Sequence, residues 1–342
     1  MTIEPERLAD LLARKLAALV RTRWPDLPDT AVRGSFPGGA SVVDAEGSRA
    51  WISLSSESDA ERRLGAALAV ARRAGARELH VVVDGDAAPV LARRAALFSE
   101  SPTVWRVEGV GLTRAVAAPP AVAPAPAPEA ELYRPLLVAA GLEAVVEGGN
   151  LIGEYLGLEV ARVVVDDGGA HIEAGVGRFD REAGALMFAD LGETDALARV
   201  VELVSRHRNA TAERHPINQL VPERWLRTAL IAEPDRVGAA SLEAVPSALA
   251  RRNLLEIGVA SARGVDLDGR PLVVTCSTGV DLDLVPAAAD DRLAHDPDAR
   301  LVLAVPGRDA VPVTTELASR LILPATVVAV EDGWTSIAPR RP

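Results

Sequence analysis

The strongest candidates for chemistry are acidic side chains on predicted strands, because paired carboxylates can hold a divalent metal ion. Glu159 and Glu173 lie on predicted strands 158–165 and 171–176, which flank an Asp-Asp-Gly-Gly turn. Carboxylate oxygens are the ligands that Mg²⁺ and Mn²⁺ prefer. This acid pair is the one to test as a metal site, although a solvated sheet face is the simpler interpretation of the same residues.

Counts of single residue types exclude several other chemistries. Lys15 is the only lysine and faces solvent beside the apolar stripe of a predicted helix. A Walker-type phosphate loop, which needs a lysine after its glycines, and a Schiff-base enzyme, which needs a buried lysine, are therefore excluded. Cys276 is the only cysteine and is predicted to be a buried apolar side chain, so no disulfide and no cysteine-rich zinc site is expected.

Histidines and the remaining acids give no clearer site. None of the five histidines has a partner at the i, i+4 spacing of a helical metal pair. Asp281 and Asp283 resemble the aspartyl pair of haloacid-dehalogenase-like phosphatases, but such enzymes generally use a downstream lysine that this chain lacks. Acids at a helix start are explained by the helix dipole. We therefore expect no metal and no cofactor.

Charge and composition indicate the class of partner. The net charge of −11 opposes a general polyanion-binding surface, so a protein partner is favoured and nucleic acid is possible but less favoured. Arginine doublets are present, but they alternate with acids in alanine-rich stretches and are interpreted as solvated helix faces. They are Arg62-Arg63, Arg72-Arg73, Arg93-Arg94 and Arg251-Arg252.

The chain is predicted to be cytoplasmic, because its start is a charged amphipathic helix and not a signal peptide. Its apolar runs are too short to span a membrane. The abundance of alanine and of arginine over lysine is typical of a GC-rich bacterial genome.

Two stretches of the sequence match each other at an offset of 222 to 223 residues. Residues 43–47 and 265–269 share the pattern Val-Asp-x-acid-Gly before a strand-forming run, and 103–108 matches 326–331. Both segments independently predict the order αβββαβαβ, which indicates one α/β fold used twice.

The domain prediction follows from this duplication. Residues 1–112 form the first unit, 113–130 an Ala/Pro linker, 131–220 a smaller α+β middle segment, and 221–342 the second unit. The middle segment is predicted as helix 131–142, a hairpin and helix 194–207, so a third, more divergent copy is also possible. In the first unit we expect Ser58 to cap the helix that follows the meander.

The order helix, three-strand meander, helix, strand resembles the restriction-endonuclease-like (PD-(D/E)xK) superfamily. The resemblance covers the two outer units and rests on element order. It implies an acid on the second strand facing an acid-x-Lys on the third, which together hold metal for phosphodiester hydrolysis. In this chain the third-strand positions are hydroxyls, at Ser53 and Ser55 and at Thr275 and Ser277. The residues expected to face Ser53 and Thr275 are Ala40 and Ala262, so both sites are predicted to be degenerate.

A shared register would give the two third strands the same orientation. Alternation predicts that residues 50, 52 and 54 face the core, as do residues 272, 274 and 276, and that Ser55 is equivalent to Ser277. The favoured hypothesis is a non-catalytic protein that binds a protein partner or serves as a structural or regulatory subunit. The alternative is an atypical metal-dependent nuclease or phosphohydrolase. The sequence leaves the oligomeric state open.

Overall fold

The computed structural model describes residues 5–26, 31–55, 59–177, 181, 191–212 and 215–337. It confirms the mixed α/β class, with three mixed or antiparallel sheets flanked by helices. Within the described ranges, no helix combines the length and the apolar character that a bilayer crossing requires. Ser58, the predicted helix cap, lies outside the described residues.

The first sheet has six strands in chain order. β1, β2 and β3 form an antiparallel meander, β3, β4 and β5 run parallel, and β6 is antiparallel to β5. Parallel neighbours require crossovers, which α2 and α3 supply. The elements are α1 Pro5–Arg23, β1 Val32–Phe36, β2 Gly39–Val43, β3 Arg49–Leu54, α2 Leu64–Arg73, β4 Glu78–Val83, α3 Ala88–Ala95, β5 Thr103–Glu108 and β6 Gly111–Arg114.

The middle sheet has four antiparallel strands in the order β10-β9-β8-β7. The predicted hairpin corresponds to β9 and β10, whereas β7 and β8 were not predicted. Helix 131–142 is in fact two short helices, with Pro135 in the first turn of the second, where its missing amide donor costs nothing. The elements are α4 Pro128–Glu131, α5 Arg134–Ala139, β7 Glu143–Glu147, β8 Asn150–Tyr155, β9 Leu158–Asp166, β10 Gly169–Ala174 and α6 Glu193–Ser205.

The last sheet has five strands in chain order. β11, β12 and β13 are antiparallel, and β13, β14 and β15 are parallel, which are the directions found in β1 to β5. The elements are α7 Pro222–Ala232, β11 Ala239–Val245, β12 Ala260–Asp266, β13 Pro271–Cys276, α8 Leu284–His295, β14 Arg300–Pro306, α9 Pro312–Ser319 and β15 Thr326–Val330.

The chain forms two compact units. Residues 1–120, 282–290 and 312–325 make the first, and residues 121–281, 291–311 and 326–342 make the second. The boundary after residue 120 falls within the predicted linker 113–130. Two segments predicted to belong to the last unit, 282–290 and 312–325, cluster with the first.

The prediction that the two third strands, β3 and β13, share one register is wrong. Trp51 of β3 packs in the core beside α1, so Ala50, Ile52 and Leu54, which alternate with it, point to the opposite face. In β13 the residues that pack beside α7, the helix preceding that sheet, are Leu272, Val274 and Cys276. All six residues are buried, as predicted, but the two sets lie on opposite faces relative to the preceding helix.

The physical cause is one residue in a turn. The Asp44 amide donates to the Arg49 carbonyl (3.1 Å), whereas the Asp266 amide donates to the Arg270 carbonyl (2.8 Å), so the second hairpin is one residue shorter. A one-residue difference exchanges the faces of the following strand. Counted through these turns, Ser55 corresponds to Cys276 and not to Ser277.

Candidate functional site

The hydroxyl positions of β3 and β13 lie in different surroundings. Ser53 pairs with Ala40 across the ladder, as predicted, and is half-buried. Thr275 pairs with Ser261 and not with Ala262, which is the same one-residue error as above. Ser55 follows β3, where its amide donates to the Gly38 carbonyl (3.0 Å).

Thr275 belongs to a buried polar cluster in the second unit. The Ser261 hydroxyl lies 2.8 Å from that of Thr275 and donates to Asp291 Oδ2 (2.5 Å), and the Ala248 amide donates to Asp291 Oδ1 (2.6 Å). Ser261, Thr275 and Asp291 are all fully buried. This closed network holds one carboxylate, which explains the cluster as a structural link between α8 and the sheet.

Cys276 and Ser277 are equally inaccessible. Burial raises the pKa of the Cys276 thiol to about 12, which confirms the predicted buried side chain and makes the thiolate rare at neutral pH. Ser277 is fully buried, and its hydroxyl has no hydrogen-bond partner among the described residues. Neither side chain can meet a ligand from solvent.

A cleft of about 370 Å³ in the second compact unit is the better candidate site. Its walls come from the β7–β8 turn, the start of β9, the residues after β10, the first turn of α7 and the loop between β11 and β12. Five arginines and two glutamates line it, so the lining carries three more positive than negative charges. These charged residues are Arg162, Arg181, Arg224, Arg251, Arg252, Glu147 and Glu159.

Of the predicted acid pair, Glu159 lines this cleft and Glu173 does not, and both acids meet arginines. Glu159 accepts two hydrogen bonds from Arg162 (2.8 and 3.0 Å) and one from Arg181 (2.9 Å). Arg181 also lies 3.4 Å from Glu173. The hydrogen bonds that Arg162 donates to Glu159 raise the pKa of the Arg162 guanidinium. These carboxylates therefore serve to position guanidinium groups.

Arg224 is held in the same way on the other wall. It is buried and donates to Glu154 (3.0 Å) and to Glu147. Burial alone would raise the pKa of Glu147, but the positive charge of Arg224, followed by those of Arg227 and Arg251, lowers this pKa below its ordinary value. Glu154 also accepts from Arg227 (2.5 Å) and does not line the cleft. An acidic layer thus lies behind the arginines.

One buried donor at the cleft lacks a hydrogen bond. Arg181 Nε lies 3.4 Å from Glu173 Oε2 as an ion pair, but it makes no hydrogen bond within the described part of the chain. An acceptor supplied by a ligand within hydrogen-bond distance would satisfy this donor.

Arg208, just after α6, fixes the framework behind the cleft. It is fully buried and donates four hydrogen bonds, two to the Leu156 carbonyl (3.3 and 2.9 Å) and one each to those of Ile217 and Leu220 (both 2.8 Å). Its guanidinium lies 4.6 Å from the Trp225 ring centre. Burial lowers the pKa of Arg208 to about 10, so it stays charged at neutral pH.

The contacts of Arg208 converge on two strained positions. Leu156 (φ 47°) and Val221 (φ 41°) both have left-handed backbone, which is costly for a leucine and more so for a β-branched valine. Between them, Gly157 approaches α7 so closely that a Cβ would come within 2.3 Å of the Arg224 carbonyl carbon. The β8–β9 turn therefore sets the position of Arg224.

The environment of Glu143 on β7 predicts that the free energy of unfolding depends on pH. It faces Glu154 across the ladder and accepts from the Thr228 hydroxyl (3.1 Å). Burial, reinforced by Glu154, raises its pKa to about 7. The folded state thus binds this proton more tightly than the unfolded state. The contribution of Glu143 to the free energy of unfolding is therefore fully present below about pH 4.5 and falls as pH rises towards 7.

Glu143→Gln should remove this penalty. Relative to wild type, we expect the variant to gain at most about 3 kcal/mol in free energy of unfolding between about pH 4.5 and pH 8. Denaturant titrations at the two pH values measure this gain. Glu46→Gln, in an exposed turn, is the control. An equal effect of Glu143→Gln at both pH values would contradict the assignment.

The interpretation of the arginine doublets as solvated helix faces is wrong for two of them. Arg93 and Arg94 are buried (7% and 1% exposed), and Arg93 donates two hydrogen bonds to Asp290. Arg251 and Arg252 lie in the loop between β11 and β12 and line the cleft. Arg93 and Arg94 pair with Asp290, and Arg251 pairs with Glu223. These acids are distant in sequence, so local charge patterns did not reveal the pairs.

Asp283 lies at the start of α8, as predicted, and accepts from the Gly65 amide (3.1 Å) and from Arg94 (3.0 Å). Among the residues that the structure describes, no group of three or more His, Cys, Asp or Glu side chains is placed to hold a metal ion.

Comparison with models of protein families, with curated protein sequences and with solved structures gave no match to this chain. The fold and the cleft are therefore the basis for any functional conclusion.

Proposed function

We propose that the protein acts by binding, without hydrolysing its ligand, and that the arginine-lined cleft is its binding site. The observation that carries this proposal is the positive lining of the cleft in a chain whose net charge is −11. Guanidinium groups present forked donors that match carboxylates and phosphates. The ligand is therefore expected to carry an anionic group of this kind.

The acidic layer behind the cleft supports this proposal. Glu154 holds Arg224, and Glu223 holds Arg251, from positions that do not line the cleft. Side chains already held in place lose less conformational entropy when a ligand arrives. A ligand would then meet an array of donors that is largely preorganised.

The hydroxyl positions argue against the alternative of a metal-dependent nuclease or phosphohydrolase. Such a site needs carboxylates to hold its metal ion. Ser53, Ser55, Thr275 and Ser277 supply none, and Asp291 is enclosed by its own hydrogen bonds. Metal chemistry at the cleft would have to use glutamates that already pair with arginines.

We also propose that the outer units are two degenerate copies of one nuclease-like ancestor. The common strand order and directions support this, as does a reciprocal contact in the first compact unit. Phe98 and Leu321, which are 223 residues apart, form a β-bridge. The Ser99 amide donates to the Arg320 carbonyl, and the Ile322 amide donates to the Leu97 carbonyl (both 2.9 Å). The same positions of each copy thus bond to one another.

A titration with small anions tests the binding site. We expect citrate and inorganic phosphate to raise the melting temperature of the wild type in a saturable way, because a ligand bound only to the folded state stabilises it. Arg181→Gln, which removes one guanidinium group from the cleft, should abolish the saturable rise. Arg106→Gln, at an exposed arginine in the first unit, should retain it. An identical, unsaturable rise in all three proteins would be a general salt effect and would refute the site.

A further inference from the structure

The loop that forms one wall of the cleft also carries exposed apolar side chains. Residues 250–254 line the cleft, and Leu255 and Ile257 follow directly with 82% and 73% of their surface exposed. Large apolar side chains at such exposure next to a charged site are typical of a surface that a partner covers.

The conformation of this loop is defined by its own hydrogen bonds. The Leu255 amide donates to Asn253 Oδ1 (2.9 Å), and the Arg252 amide donates to Glu256 Oε2 (2.7 Å). Arg251 donates to the Glu256 carbonyl. Glu256 is thereby turned back onto the arginines, and the apolar residues on either side of it are left facing solvent.

We propose that the occupant of the cleft is an acidic segment of a partner protein, whose carboxylates meet the cleft arginines while an apolar side chain covers Leu255 and Ile257. This inference rests on the proposed function and names its ligand. Recognition of acidic motifs by clustered arginines is a recurrent mode of peptide binding. Charge complementarity and the adjacent apolar pair are the two features that such a segment satisfies together.

Other occupants satisfy only part of this surface. A small free anion would fill the cleft but leave Leu255 and Ile257 in water. A nucleic acid would bring a long run of phosphates towards a protein of net charge −11, which repels it beyond the cleft. A short acidic segment keeps its charge within the volume of about 370 Å³ that the arginines surround.

Fluorescence anisotropy with matched peptides tests the proposal at physiological ionic strength. One labelled peptide alternates acidic residues with leucines, and the other has serine in place of each leucine. We expect the leucine peptide to bind the wild type about tenfold more tightly, since one well-covered leucine accounts for a factor of this size. The double variant Leu255→Ser/Ile257→Ser should remove that difference, and Arg181→Gln should weaken both peptides about tenfold or more.

A matched control is Val110→Ser/Val116→Ser, at equally exposed valines of the first unit (83% and 82%), which should leave both affinities unchanged. If citrate binds through Arg181 but leucine brings no gain, the acidic-apolar segment is refuted and the anion site stands. If neither citrate nor peptide responds to Arg181→Gln, both proposals fail. Tighter Arg181-dependent binding of a single-stranded oligonucleotide, or of vesicles of phosphatidylcholine with phosphatidylserine, would replace the peptide by that partner.

Discussion

Replacing Arg208 with methionine is expected to lower the free energy of unfolding by about 3 kcal/mol or more. The substitution leaves the buried carbonyls of Leu156, Ile217 and Leu220 without their donor, and each orphaned acceptor costs about 1 to 3 kcal/mol. It also releases the hydrogen bonds to Leu156 and to Leu220, the residue before Val221, where Leu156 and Val221 both have left-handed backbone. Urea unfolding followed by tryptophan fluorescence measures the loss, because Trp225 stacks on Arg208.

Arg206→Met is the matched control, two residues away. Arg206 is exposed (56%) and pairs with Glu202 on the surface of α6, where an ion pair contributes about 0 to 1 kcal/mol. Arg208→Lys keeps the charge but cannot reach three carbonyls in the same forked geometry, so its cost should be intermediate. A loss for Arg208→Met no larger than that for Arg206→Met would show that the framework does not depend on Arg208.

The second large effect is expected for Asp290→Asn in the first compact unit, which includes residues 282–290. Asp290 is fully buried and accepts from Arg93 (2.7 and 2.8 Å) and from Arg94 (3.0 Å). Asparagine keeps the shape but removes the charge, which leaves two buried guanidinium groups with Asp283 as the nearby carboxylate. Breaking a buried ion pair from one side costs about 3 to 5 kcal/mol. Denaturant unfolding of the full chain measures the change.

Two comparisons make this prediction specific. Asp10→Asn removes an exposed partner of Arg14 on α1 and should change stability by less than about 1 kcal/mol. The triple variant Asp290→Leu/Arg93→Met/Arg94→Met should recover much of the loss in free energy of unfolding, because well-packed apolar side chains avoid burying charge. A triple variant as unstable as Asp290→Asn would indicate that packing, and not the unpaired charge, causes the loss.

The α/β class followed from the alternation of helical and strand patterns, which depends on near neighbours in the sequence. Strands β7 and β8 escaped prediction because their faces mix glutamates with valines and leucines around the Gly148-Gly149 turn. Glu147 and Glu154 are inside the protein because Arg224 and Arg227 meet them, and those arginines come from a distant segment. Arg224, for example, is 70 residues from Glu154.

The relative register of β3 and β13 could not be predicted from the sequence for a similar reason. The repeated Val-Asp-x-acid-Gly pattern correctly marks both turns, and Asp44 and Asp266 each accept hydrogen bonds from turn amides. The residue that differs between the turns lies after the matched pattern, at Ser48, where nothing in the local composition signals it. The candidate site was only half predicted, since Glu159 and Glu173 were identified without their arginines.

A metal titration tests whether Glu159 of the cleft and Glu173, which pairs with the cleft residue Arg181, serve arginines, for binding, or a metal ion, for hydrolysis. The measurement is the melting temperature of the wild type and of Glu173→Ala during titration with Mg²⁺ or Mn²⁺. Because Glu159 and Glu173 already meet Arg162 and Arg181, we expect no saturable rise in either protein. A saturable rise in the wild type that Glu173→Ala abolishes would contradict it and would favour a metal-dependent enzyme.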